Sequence, residues 1–399
     1  MRTMRSLTLL ILLSLLAACA SAPRSVEWDR PLPPGESALR LLPNGWPRPD
    51  LAHQWADRER ILPALDNSID WMARPSSATH FPVAGISHQL AADSLLRFRE
   101  LLTSSANSAA FVRAFEREFD VYQSVGWDGR GGGTLFTAYC TPILEGSLTR
   151  DATYRFPLYG LPDDLAKGDG GQILGQRLAD GRLRPYPTRA QIEDGALLDG
   201  KGLELCWLAD PLDAFIAHVN GSAVVRLPDG NMLRLGYAGK NGAEYASLRA
   251  ELERRGELRD DDRGLEGLRR WAARTPESKV IDALHSNPTF VFFTPIDGTP
   301  RGSLNVPVTA RRTIATDKSI FPRGALVYVD AGGSRRGGRS FHQLMLDQDT
   351  GGAIRTAGRA DLYLGTGDYA EKLAGETVLE GQMYYLFLKP DVRRKLARS

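Results

Sequence analysis

The sequence predicts a mainly β protein with its helices segregated from its strands, built as two β units. Two observations carry this. From residue 135 onward, short apolar runs recur between Gly, Pro and Asp turn signals. Many short strands punctuated in this way imply a small closed barrel rather than a parallel sheet. Helical periodicity, by contrast, falls in two blocks, one before residue 123 and one within 244–286. A length of 399 residues fits two domains, or one large domain with an insertion.

At the N-terminus, Arg2 and Arg5 precede an almost wholly apolar run from Leu7 to Leu16, followed by Ala17, Ala18 and Cys19. A basic start, a short apolar run and small residues at the cut describe a secretory signal peptide. Cys19 after Leu-Ala-Ala resembles the bacterial lipobox, which implies lipidation at Cys19, and a non-acidic Ala20 resembles sorting to the outer membrane. No later stretch reaches 18 apolar residues, so the membrane is met through the lipid anchor only. Residues 20–48 are Pro-rich and aperiodic, as in Arg30-Pro31-Leu32-Pro33-Pro34-Gly35, which suits an extended tether.

Helices are predicted at 61–72, with Pro63 tolerated in the first turn, at 88–102 and at 109–122. Phe111, Phe115 and Phe119 make a core stripe on the last of these. Strands follow at 135–139, 203–207, 223–227 and 232–237, the last two joined by the turn Pro228-Asp229-Gly230-Asn231. Helices return with Tyr245, Leu248 and Leu252 on one face, ending at Gly256, then with Leu265, Leu268 and Trp271. Thr275-Pro276-Glu277 has the pattern of an N-cap, a Pro at the first helical position and an acid in the first turn. Strands at 290–294, 312–316, 325–329, 342–346, 352–355, 360–363 and 381–388 complete the chain.

Charge narrows the partners. Lys+Arg 50 against Asp+Glu 48 gives +2, and removing Arg2 and Arg5 with the leader brings the mature chain near zero. No basic surplus favours nucleic acid as a partner, so a neutral or weakly charged polymer fits better. Six His without ligand spacing predict no metal, and no cofactor is predicted. Cys140 and Cys206 sit among apolar neighbours. They read as buried free thiols more readily than as a disulfide, which a periplasmic location permits.

The chemistry concentrates in Asp347-Gln348-Asp349-Thr350-Gly351-Gly352-Ala353-Ile354-Arg355 and Arg359-Ala360-Asp361-Leu362-Tyr363. Paired glycines inside a strand pattern mark a bulge or a close approach. Asp361, between apolar neighbours, faces either solvent or a cleft. In a partly dry cleft its pKa would rise far enough for acid catalysis.

The segments around Ala315-Thr316-Asp317-Lys318-Ser319-Ile320-Phe321-Pro322-Arg323-Gly324, Asp349-Thr350-Gly351-Gly352-Ala353-Ile354 and Asp361-Leu362-Tyr363 resemble the three-Asp domain, a double-psi β-barrel. Upstream, Phe136 to Pro142, Phe156 to Tyr159, Gly236-Tyr237-Ala238-Gly239-Lys240-Asn241-Gly242 and Asn287 to Phe293 resemble the membrane-bound lytic murein transglycosylase A family. The motifs occur in the family's order from about residue 130 to 390. The resemblance implies a double-psi barrel domain with an inserted second β domain. It also implies cleavage of the β-1,4 bond between N-acetylmuramic acid and N-acetylglucosamine in peptidoglycan glycan strands, without water, leaving 1,6-anhydromuramoyl ends.

It implies Asp361 as the single acid/base. Asp349 would bind sugar or fix its loop, and Asp317 is either a helper or structural. Tyr139, Thr141 and Lys240 are candidate saccharide contacts, with core, strand-end and turn roles as their alternatives. Asn220 stands in Val219-Asn220-Gly221-Ser222-Ala223 where the family tends to have Gln, and Ala138-Tyr139-Cys140 departs from Gly-Tyr-Tyr. The division expected is a signal peptide at 1–18 and the lipidated tether at 19–48. A helical part with the first barrel strand follows at 49–145, then an inserted β domain at 146–243, then helices and barrel with the acid at 244–399. Two rivals remain at this stage. One is a hydrolase using Asp361 with Asp349, and the other is a wall-binding lipoprotein that does not cut.

Overall fold

A computed structural model describes residues 26–43, 45–168, 172–262, 264–332 and 340–396. Cys19 and the leader lie outside the described residues.

The strands are β1 (Leu39–Leu41), β2 (Phe119–Ser124), β3 (Thr134–Thr141), β4 (Ile143–Ser147), β5 (Phe156–Tyr159), β6 (Leu165–Lys167), β7 (Ile173–Arg177), β8 (Leu183–Arg184) and β9 (Glu204–Leu208). They continue as β10 (Ala223–Arg226), β11 (Met232–Lys240), β12 (Val291–Pro295), β13 (Thr313–Ala315), β14 (Leu326–Ala331), β15 (Phe341–Asp349), β16 (Arg359–Thr366) and β17 (Leu379–Leu388). They build an eight-stranded sheet in the order β1-β2-β17-β14-β15-β13-β16-β3, a six-stranded sheet β12-β11-β10-β4-β9-β5 and a three-stranded sheet β6-β7-β8. The chain passes from the first sheet to the second at Pro142, between β3 and β4.

This corrects the expected fold class. Helix and strand contribute about equally, in three sheets, so the protein is not mainly β, and its helices are interspersed with strands. The extra β17–β3 pairing makes a ring of six strands in the large sheet, but the ring is not a barrel. One edge of β17 is divided, with Leu379–Gly381 against β3 and Tyr384–Leu388 against β2, so the sheet branches. Helix Pro211–Asn220 escaped the sequence reading because Leu212, Phe215, Ile216 and Ala217 are buried on several sides and leave no clear polar stripe.

Two further boundaries differ. The helix expected at 109–122 ends at Glu118. Phe119 and Val121 are then buried in alternation with half-buried Asp120 and Tyr122, a strand period. Residues 352–355 form a turn rather than a strand. Where signals were local they held. Ala223–Arg226 pairs antiparallel with β11 across the 228–231 turn, and Phe98 receives Phe111, Phe115 and Phe119 edge-on in the core. Cys140 and Cys206 are both buried free thiols, and burial pushes each thiol up to about 12.

Candidate active site

Parallel pairing of β3 with β16 builds the floor of the site. The register sets Thr137 beside Asp361 and Tyr139 beside Tyr363. Because side chains alternate along a strand, Thr137, Tyr139 and Thr141 share one face, as do Asp361 and Tyr363. Ala360 and Leu362 point the other way and are fully buried. β13 lies on the other side of β16, and its Ala315 is the register partner of both Asp361 and Asp349. The two acids therefore flank one strand, with backbones roughly 10 Å apart from two strand spacings.

These residues line a groove of about 1120 Å³ shared by both large sheets. Asp361, Asp349, Asp317, Thr141, Tyr139, Lys240 and Asn220, the seven catalytic or saccharide candidates from the sequence, all line it. Their circumstances differ. Asp361 is half-buried, and its Oδ1 is buried without a hydrogen-bond partner. Desolvation raises its pKa to about 6, opposed by the Thr137 side chain and the Arg359 charge and assisted by Asp349.

Asp349 is engaged at both oxygens. Oδ2 accepts from Tyr139 Oη at 2.6 Å, and Oδ1 accepts from Ser303 N at 2.9 Å and Thr350 N at 2.8 Å. Burial still pushes its pKa upward, against these donors. The Tyr139 hydroxyl, desolvated and beside the Asp349 charge, keeps its proton well above the usual tyrosine range. It is therefore a permanent donor.

Asp317 is spent on local structure. Its Oδ1 accepts from Ser319 N and Oγ, and its Oδ2 accepts from Thr356 N at 3.0 Å, tying the 318–320 turn to the loop before β16. Thr141 Oγ1 lies 3.0 Å from Tyr363 Oη and 3.4 Å from Ser222 Oγ. Asn220 ends its helix, donating from Nδ2 to Ile216 O at 2.9 Å, with Gly221 left-handed at φ 68° behind it. The Lys240 ammonium has no hydrogen-bond or ion-pair partner among the described residues. The second glycine of the pair has a steric reason. A Cβ on Gly352 would lie 2.9 Å from Tyr245 Cβ, so only glycine lets the 350–355 loop close on that ring.

Several groove residues escaped the sequence reading. Thr137 could have been found from its period-2 relation to Tyr139. Lys318 lines the groove with its ammonium ion-paired to Asp347, which also accepts from Thr316 Oγ1 and from Tyr385 Oη at 2.7 Å. No short-range pattern announces that network.

The chain matches the MltA specific insert domain over residues 135–294 and the 3D domain over residues 312–387. Membrane-bound lytic murein transglycosylase A of Vibrio cholerae is 33% identical over 272 residues, 66% of this chain and 68% of the relative. The Escherichia coli K12 protein of that name is 32% identical over 277 residues, 68% of this chain and 70% of the relative. The chain belongs to the membrane-bound lytic murein transglycosylase A family. Among solved structures of the transglycosylases, one from Agrobacterium tumefaciens superposes with a TM-score of 0.74 at 26% identity, covering 90% of this chain and 99% of the other. E. coli MltA with bound chitohexaose gives 0.65 at 27% identity, covering 92% of this chain and 100% of the other.

The bond between Tyr139 and Asp349 suggests a first test. Tyr139→Phe removes a charge-assisted hydrogen bond of about 1.5–3 kcal/mol from Asp349. We expect kcat to fall roughly tenfold through loss of loop placement, with the fold retained by circular dichroism. An unchanged kcat would remove Asp349 placement from the reaction.

Proposed function

We propose that this chain is a lytic transglycosylase that cleaves the β-1,4 bond between N-acetylmuramic acid and N-acetylglucosamine in peptidoglycan. Family membership and the relative holding chitohexaose support glycosidic cleavage and glycan-strand binding. The finer reading rests on one observation. Asp361 lines the groove with an unpartnered Oδ1 and a pKa raised to about 6, a carboxyl group still protonated in part near neutral pH.

Asp361 donates its proton to the glycosidic oxygen as the C1–O bond breaks. The carboxylate left behind then takes the proton from the muramoyl O6 as O6 bonds to C1. A 1,6-anhydro ring closes and Asp361 is again protonated. The attacking hydroxyl is tethered to the ring it attacks, so its effective concentration is high and no second carboxylate has to activate water. Asp349 fits a supporting role, since both of its oxygens are already accepting hydrogen bonds. Thr141, Tyr139, Lys240 and Asn220 are saccharide-side residues in this reading, while Asp317 holds its turn.

By the same proposal residues 146–243 are an inserted unit forming one wall, and residues 244–399 carry the acid. The protein works in the periplasm, associated with the membrane. Anchoring through a lipidated Cys19 to the outer membrane is the more specific form of that placement. Mass spectrometry of soluble products from purified sacculi tests the activity. Anhydromuropeptides are expected. Reducing muramic ends would replace the mechanism by hydrolysis, and sacculi bound without products would leave a wall-binding protein.

A further inference from the structure

Among the described residues six Lys and Arg side chains line the groove, and four of them are committed. Arg189 pairs with Glu193, Arg301 donates to Asn305 O, Lys318 pairs with Asp347, and Arg323 donates to Lys318 O. Lys240 and Arg355 have neither a hydrogen bond nor an ion pair among the described residues. They come from opposite walls. Lys240 ends β11 of the six-stranded sheet, and Arg355 lies in the loop that joins β15 to β16 in the eight-stranded sheet. Lys240 is half-buried, and its pKa is lowered first by desolvation and then by the Arg355 charge.

Two like charges facing one groove, one of them partly dehydrated, are mutually unfavourable until an anion sits between them. A chito-oligosaccharide carries no anion. A muramoyl residue does, either as the free carboxylate of its O3-lactyl group or as the carboxylates of a peptide attached there.

We propose that Lys240 and Arg355 form a carboxylate clamp across the groove that selects glycan bearing an anionic muramoyl substituent over uncharged glycan. The inference rests on the peptidoglycan reading above and adds the feature of the substrate that is read. The guanidinium supplies a planar two-pronged donor and the ammonium a point charge, a combination suited to one carboxylate held from two sides.

Binding is measured by titration calorimetry on Asp361→Asn, which leaves the ligands uncut. Three ligands of equal length are used: a chito-oligosaccharide, murein glycan stripped of peptides to free lactyl carboxylates, and murein glycan with its peptides. The anionic glycans are expected to bind at least tenfold more tightly than the uncharged one. That ratio should fall towards one in Lys240→Met/Arg355→Met, and at high salt. Whichever anionic glycan shows the larger ratio identifies the lactyl or the peptide carboxylate as the group bound. Arg355→Met alone, at an exposed loop position, should lose a substantial part of the ratio without any question of folding.

An equal affinity for all three ligands, or a ratio that survives the double substitution, would overturn the clamp. Sacculi digested by the unsubstituted protein separate the two readings. Absence of anhydro ends overturns the mechanism while the affinity ratio still decides the clamp.

Discussion

Asp361→Asn is expected to reduce release of anhydromuropeptides from sacculi by roughly 10³–10⁴, near the top of the range for loss of one acid–base group. The effect is large because in the proposed mechanism a single carboxyl group serves both proton transfers, and Asp349 is unable to substitute. Asp349 is held by Tyr139, Ser303 and Thr350, with its backbone on the far side of β13. Glycan affinity should persist, since the amide keeps the shape of the groove. If the Asn protein still releases anhydro ends at a tenth of the normal rate, the acid lies elsewhere.

Two pH effects accompany this result. The proposed first step needs the protonated carboxyl group, so kcat/KM should fall about tenfold per pH unit above the Asp361 pKa of about 6. Stability runs in the same direction for a related reason. The folded pKa of about 6 exceeds an unfolded value near 3.9. Between these values the native state binds more protons than the unfolded chain, and stability declines as pH rises through that window. Above it the fold carries the full cost of an ionised, partly dehydrated Asp361, about 3 kcal/mol. Asp361→Asn should therefore unfold at higher urea than the unsubstituted protein at pH 7.5, with the gap closing towards pH 4. A gap independent of pH would detach the stability change from Asp361 ionisation.

Signals legible in the sequence were short in range. The 228–231 hairpin and the core stripe of Phe111 and Phe115 follow from neighbours within a few turns of chain. Alternation around Asp361 likewise separates its carboxyl group from buried Ala360 and Leu362. What could not be read was pairing at long range. Thr137 reaches Asp361 only because β3 lies parallel to β16, more than 200 residues later, and no local pattern encodes that register. Helix Pro211–Asn220 is a different kind of miss. Its buried Leu212, Phe215, Ile216 and Ala217 obscure the period, yet Asp210 caps its start, Pro211 follows, and left-handed Gly221 ends it. The capping residues were the available signal. The string from Asp347 to Asp349 divides for a similar reason. The register slips between Ile314 and Ala315, so that Asp347 enters the interior and Asp349 turns to the groove.

That division underlies the largest expected change in stability. Lys318 is 6% exposed and Asp347 fully buried, so neither charge has water to fall back on. Asp347→Asn keeps an acceptor for the Thr316 and Tyr385 hydroxyls but strands the Lys318 ammonium, and it should cost about 3–5 kcal/mol in urea unfolding at pH 7. Adding Lys318→Met should recover most of that loss, because the remaining polar groups are uncharged and still partnered. Recovery of this kind is a strong positive coupling, the signature of a charge whose cost is set by its partner.

The same network also reaches the groove. Thr316, held by Asp347, accepts at its carbonyl from Thr350 Oγ1, and Thr350 N donates to Asp349. Asp347→Asn alone should thus lower kcat as well as stability, while the double variant regains stability ahead of turnover. Losses that simply add across the two substitutions would mean that Lys318 and Asp347 are stabilised independently, and that the buried pair does not organise the floor beneath Asp349.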